Sequence, residues 1–203
     1  MTTLALPGRA LLLVAGMPGA GKSTLLRGVA ARPGLRVLDS DTYRSRMAAV
    51  MGPVPYASYR PVVHAWHRLA VLAAAASRAR TVVVHLPATA PRMRAAVLGL
   101  AALTGRDPHL VWLHVDPEQA LRGQRERGRV VPSSSFLAHA RRAAATTAEL
   151  RAPGGARGWR SVTVLDRDSA REGLHLDTGA CPVPSRPQSA PKAPVERARS
   201  TPQ

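Results

Sequence analysis

With 203 residues, 45% of them hydrophobic, the chain suits one domain of ordinary size plus an appendage and is short for two. Its net charge of +17 comes almost entirely from arginine, with lysine only at positions 22 and 192. That balance favours polyanionic company, whether nucleotides, phosphorylated substrates or nucleic acid, although the excess of Ala, Arg, Gly and Pro is also what a GC-rich coding sequence produces. A lone Cys181 excludes an internal disulfide framework and a cysteine zinc site, and seven aromatic residues give few platforms for stacked bases. No apolar run approaches the eighteen or so residues of a membrane span, so a cytoplasmic protein with no membrane attachment is expected.

The first strand is expected at Ala10–Ala15, a short apolar run. It leads into Gly16, Met17, Pro18, Gly19, Ala20, Gly21, Lys22, Ser23 and Thr24, a full match to the phosphate-binding pattern G-x-x-x-x-G-K-[ST]. The glycines let the backbone turn tightly so that successive N–H groups point into one anion-sized hollow. A helix over Lys22–Ala31 adds its positive end; Lys22 is placed to reach the β- and γ-phosphates, and the Ser23 hydroxyl to take one position on Mg²⁺. A secretory leader is the competing reading of this apolar start, but its run is short and Gly-Lys-Ser-Thr follows at once.

A second strand at Arg36–Leu38 leads into Asp39-Ser40-Asp41-Thr42-Tyr43-Arg44 and a helix over Thr42–Val50. Two carboxylates two residues apart leave a strand end, and Asp41 and Arg44 share one helix face. Asp41 is a candidate to accept a proton from a substrate hydroxyl, with Arg44 holding the substrate. The alternative is an N-cap role for Ser40 or Asp41, and both roles are compatible. A long helix over Tyr59–Ala79 carries His64 and His67 around Trp66. Without a third ligand in view these read as half-buried structural histidines, and Tyr56, Tyr59 and Arg60 as residues near the substrate side.

Further along, strands are expected at Thr81–Leu86, His109–Val115 (with Trp112 in the core) and Ser161–Leu165, and helices at Pro91–Thr104, Pro117–Arg127 and Ser133–Arg151. This alternation predicts an α/β fold, a doubly wound five-stranded parallel sheet with helices on both faces, its site at the carboxyl ends of the strands. Residues 1–179 form the expected nucleotide-binding domain. From 180 onward the chain is a Pro- and Arg-rich tail without periodicity, expected to be disordered; it carries a net +3, so +14 belongs to the domain.

The Gly-Met-Pro-Gly-Ala-Gly-Lys-Ser-Thr loop followed by Asp-Ser-Asp-Thr-Tyr-Arg resembles the P-loop kinase group of AAA-family ATPases that includes polynucleotide 5′-kinases, zeta toxins and chloramphenicol phosphotransferases; in detail it is similar to actinobacterial ATP-binding proteins. The resemblance spans about residues 10–166. It implies ATP and Mg²⁺, with Asp41 as general base, Arg44 on substrate phosphate and Asp39 assisting the metal through water. It also implies an arginine-bearing lid, matched here by Arg122, Arg125, Arg127 and Arg129: Arg122 and Arg125 would stabilise the transferring phosphoryl and Arg129 would bind nucleotide. The competing reading of that cluster is a solvated helix face with i,i+4 pairs.

The third strand departs from the group's pattern. Where relatives carry an aspartate, the sequence runs Val84-His85-Leu86-Pro87-Ala88-Thr89 without a carboxylate, and histidine is a poor ligand for Mg²⁺. The first functional expectation is therefore a phosphotransferase moving the ATP γ-phosphoryl to a hydroxyl of a small molecule or a nucleic-acid end. The alternative is a nucleotide-dependent module that binds nucleic acid or senses nucleotide with little or no transfer. An ATPase subunit of a larger machine has the least support.

Overall fold

The computed structural model describes residues 1–29, 33–126, 128 and 130–179. Arg127, Arg129, Cys181 and the tail from 180 onward lie outside these residues. Seven strands and seven helices follow in chain order among those described: β1 (Thr2–Ala5), β2 (Ala10–Gly16), α1 (Lys22–Arg27), β3 (Leu35–Asp39), α2 (Ser40–Met51), α3 (Tyr56–Ala76), β4 (Thr81–His85), α4 (Pro91–Leu103), β5 (Asp107–Leu113), α5 (Pro117–Arg125), α6 (Ser133–Arg151), β6 (Ser161–Leu165), α7 (Arg167–Glu172) and β7 (Leu174–Asp177).

Five strands form one parallel sheet in the order β3-β4-β2-β5-β6. β2 is its middle strand, and all seven of its residues are buried, as a strand covered on both faces requires. Register fixes which side chains meet at the carboxyl edge: Val14 pairs with His85 across β2–β4, and Asp39 pairs with His85 across β3–β4. The main core is aliphatic, built around Leu11, Leu12, Leu13, Val83 and Val111, with the fully buried Trp112 donating its indole N–H to Thr147 Oγ1 at 2.9 Å.

Each helix of the expected alternation is present, with ends that shift by a few residues. α1 ends at Arg27 with Gly28 as its C-cap, the expected end at Ala31 lying outside the described residues, and α2 starts at Ser40 rather than Thr42 because Asp39 caps it. That cap corrects the reading of Ser40 or Asp41 as the N-cap: the Asp39 carboxylate accepts the Asp41 N–H at 2.9 Å. α3 begins three residues early and ends at Ala76, where Ser77 turns the chain and its hydroxyl donates to the Ala74 carbonyl at 2.7 Å.

Two features had no sequence signal strong enough to read. β1 and β7 pair in parallel as a separate two-stranded sheet, bringing the first residues against Leu174–Asp177. Arg106, only 4% exposed, spreads its guanidinium over the carbonyls of Ala10, Ala74, Ala75, Ser77, Ala79 and Arg80. One buried cation thus ties the end of α3 to the starts of β2 and β4, adding a charged donor to carbonyls at the end of that helix and beside those strands.

Candidate functional site

The loop after β2 has a shape that side chains would not permit. Gly16, Gly19 and Gly21 sit at φ of 144°, 89° and 99°. A Cβ at Gly19 would lie 2.0 Å from the Ala120 carbonyl oxygen, so α5 packs directly onto the loop's backbone. From the α5 side, Gly123 allows the same approach: a Cβ there would lie 2.6 Å from the Gly19 carbonyl. Gln124 then locks the contact, its amide donating to Pro18 O at 3.0 Å and accepting the Val131 N–H at 2.9 Å. Met17 and Ala20 are buried beneath the loop, and Lys22 folds back over it, donating from Nζ to the carbonyls of Gly16 and Met17, each at 2.9 Å.

The Ser23 Oγ is buried and has no hydrogen-bond partner among the described residues. An orphaned hydroxyl oxygen at the start of α1 is a hard ligand placed where a nucleotide's divalent cation is carried, so the residues present fit Mg²⁺.

A hollow of about 180 Å³ joins this loop to the start of α2. Pro18, Gly19, Gly21, Lys22 and Ser23 line it from the loop, Ser40, Asp41 and Arg44 from α2, and His85 and Pro87 from the end of β4. The sequence-predicted pair Asp41 and Arg44 therefore faces Lys22 and Ser23 across one space. Arg44 lies with its guanidinium 4.1 Å from the centre of the Tyr56 ring, which fixes it at the hollow's outer wall. Behind them, Tyr43, Tyr59 and Val63 form a second small core with Met47, Met51 and Tyr56. His67 belongs to that packing: it is buried, stands edge-on to Tyr43, and burial holds its pKa below the usual histidine value. No group of three or more potential metal ligands of the His, Cys, Asp and Glu types occurs among the described residues; His67 is buried, whereas His64, expected to be half-buried beside it, is exposed.

Asp39, expected to assist the metal through water, is held by its neighbours in the sheet and at the start of α2. It does not line the hollow; its Oδ1 accepts the Asp41 N–H and stands 2.5 Å from His85 Nδ1. Burial pushes the Asp39 carboxyl up, but the His85 hydrogen bond and charge, with the Asp41 N–H, outweigh it and leave the group below the usual carboxylate value. His85 is the residue whose partner the sequence alone does not reveal. Judged alone it is a poor Mg²⁺ ligand, yet the β3–β4 register makes it the partner of Asp39.

Arg122 and Arg125 do not reach the hollow in this arrangement. The loop-facing side of α5 is Ala120, Gly123 and Gln124, and the two arginines fall on exposed turns of the same helix. On the other side of the loop lies a second hollow, about 170 Å³, where Thr24, Arg27, Glu126, Arg167 and Arg171 meet Gly19 and Gly21. Arg167 is anchored there by donating to Gln119 O at 2.7 Å. Because this hollow takes side chains from three helices far apart in sequence, only register and packing assemble it.

A glycine loop bearing Lys22 and Ser23, set after the middle strand of a five-stranded parallel sheet flanked by helices, defines a P-loop kinase-like α/β protein. Residues 11–153 match the family described as an AAA domain, and the chain belongs to that family. Nucleotide binding comes with that membership. No curated protein matches the chain. Among solved structures it is similar to a chain of the PezAT chromosomal toxin–antitoxin system of Streptococcus pneumoniae, with a TM-score of 0.59 and 13% identity over 79% of this chain and 69% of that one. A Chloroflexus aurantiacus protein gives 0.54 and 15% over 78% and 88%, and a shikimate kinase from Acinetobacter baumannii in complex with shikimate gives 0.50 and 19% over 81% and 88%. At these identities the likeness is one of fold. No helix among the described residues is long and apolar enough to cross a membrane.

Proposed function

We propose that the protein is a Mg²⁺-dependent phosphotransferase that moves the γ-phosphoryl of ATP to a hydroxyl acceptor. The observation that carries this reading is the single hollow lined both by Lys22 and Ser23 and by Asp41 and Arg44. In it, the loop N–H groups and Lys22 bind the β- and γ-phosphates, Lys22 turning from the Gly16 and Met17 carbonyls to the nucleotide. Ser23 Oγ would hold the metal, and Mg²⁺ when bound would neutralise charge on the phosphate oxygens. Arg44 orients the acceptor, Asp41 takes the proton from its hydroxyl, and the oxygen so freed attacks the γ-phosphorus as ADP leaves. The second hollow, continuing along Thr24 away from Asp41, suits the nucleoside end.

Incubation with γ-labelled ATP and a panel of hydroxyl acceptors tests this, comparing the wild type with Lys22→Ala and Asp41→Asn. Transfer by the wild type and loss in both variants is the expected result; equal transfer by all three overturns it. A steep linear fall of RNA or DNA affinity on a log–log salt plot, without transfer, would favour the nucleic-acid-binding alternative, which rests on the +17 charge.

A further inference from the structure

The chain places a histidine where β4 ends beside the phosphate loop, and that histidine is neither solvent-facing nor idle. His85 is 6% exposed, lines the hollow, and spends its Nδ1 on Asp39. An ionised carboxylate only accepts hydrogen bonds, so Nδ1 carries the proton and donates it. The same Asp39 Oδ1 that receives it also accepts the Asp41 N–H. Three residues from two strands and a helix are thereby strung on one oxygen atom: His85 at the end of β4, Asp39 at the end of β3, and Asp41 in the first turn of α2.

That connection is rigid for separate reasons at each end. His85 is held by backbone pairing on both sides, to Val14 in β2 and to Asp39 in β3. Asp39 fixes where α2 begins, and the start of α2 sets the direction in which Asp41 and, one turn later, Arg44 project. Without the imidazole, a half-buried carboxylate would lose its charge-assisted donor and be drawn toward water. The cap would loosen, and with it the placement of Asp41.

We propose that His85 is a positioning residue for phosphoryl transfer: through Asp39 it fixes the first turn of α2, and so presets Asp41 and Arg44 against the phosphate loop. The role of Asp41 in this statement rests on the phosphotransferase reading above, whereas the His85–Asp39–Asp41 linkage does not. His85 thus supplies order at a strand end that has no carboxylate to supply it, by bonding to the neighbouring strand's carboxylate instead of to the metal.

Two substitutions separate this role from others. In asparagine the side-chain NH₂ sits close to where imidazole Nδ1 was, and in glutamine it reaches the Nε2 position instead. His85→Asn therefore keeps the donor to Asp39, and His85→Gln moves it away. The first readout needs no nucleotide: hydrogen exchange of the Asp41 amide, followed by NMR in the full-length protein. We expect protection of that amide to drop roughly tenfold in His85→Ala and His85→Gln and to be kept in His85→Asn, while amides of the central strand β2 stay protected in all three.

The second readout is turnover of γ-labelled ATP, with water as acceptor where no better one is found. Here kcat should fall roughly ten- to a hundredfold in His85→Ala and His85→Gln, with the KM for ATP unchanged and most of the rate restored in His85→Asn. Asp39→Asn combined with His85→Ala should be no slower than the slower single variant, because both break one linkage. Unchanged Asp41 protection in His85→Ala overturns the proposal, as does rescue by glutamine in place of asparagine. A wild type that turns over no ATP, together with the predicted pattern of Asp41 exchange, overturns the phosphotransferase reading and leaves the linkage standing.

Discussion

The two walls of the hollow are built by different means. On one side, the phosphate loop takes its shape from backbone: glycines at positive φ, a carbonyl pressed where a Cβ would be, and a buried strand behind. On the other, the α2 wall takes its shape from side chains that find each other across distance, His85 with Asp39 and Arg44 with Tyr56. The first kind of wall is specified by residues adjacent in sequence and tolerates no substitution at its tight points. The second is specified by register and packing and can be tuned one side chain at a time.

The sharpest way to break the contrast is Gly19→Ala. A methyl group 2.0 Å from the Ala120 carbonyl, on a residue already at φ 89°, forces the loop or α5 to move. ATP affinity measured by titration calorimetry should fall roughly a hundredfold, in line with what misplacement of about 1 Å does to binding and catalytic geometry. Retained affinity would mean that the loop is softer than its contacts imply.

Next in size is Arg106→Met, which leaves both walls in place but removes the guanidinium that joins α3 to the sheet under them. Six carbonyls lose a charged donor, and the fold should lose about 3 kcal/mol, lowering Tm by roughly 10 °C with little change in kcal-scale nucleotide binding at low temperature. Thermal melts with and without ATP separate the two effects.

A smaller effect distinguishes the walls by pH. Burial depresses the pKa of His67 behind the α2 wall, and likewise those of His109 and His139. A histidine whose folded value lies below its unfolded one favours folding while neutral. Its contribution is therefore complete above about pH 6.5 and is lost as pH falls from there through the folded value. Denaturant melts at pH 7.5 and 5.5 should show lower stability at the acid end, and His67→Gln should reduce that difference. The smallest effect is expected at α5's exposed face: Arg122→Ala and Arg125→Ala should change turnover less than about threefold if the two walls are sufficient, since both residues are exposed and neither lines the hollow. A loss of a hundredfold would show that the lid arginines close over the nucleotide.

How legible each wall was in the sequence follows from the same contrast. Gly16 to Thr24 could be read directly because every constraint on the loop lies within nine consecutive residues, and the order of strands and helices could be read from periodicity. Asp41 and Arg44 can be paired from sequence because they too are local, three apart at the start of one helix. His85 was visible as a residue but not as a partner, since its pairing with Asp39 depends on the β3–β4 register, 46 residues apart in the chain. The same holds for Gln124 reaching Pro18, 106 residues away, and for Arg106 reaching Ala10, 96 away. β1, β7 and α7 escaped notice because elements of four to six residues carry too little periodicity to stand out.

The most direct test of the hollow as a transfer site is single-turnover reaction of γ-labelled ATP in the wild type and in Asp41→Asn, with ATP binding measured in parallel. If the α2 wall supplies the base, Asp41→Asn binds ATP as tightly as the wild type and transfers its label at least about a hundredfold more slowly. Transfer at the wild-type rate, with binding unchanged, would contradict the account.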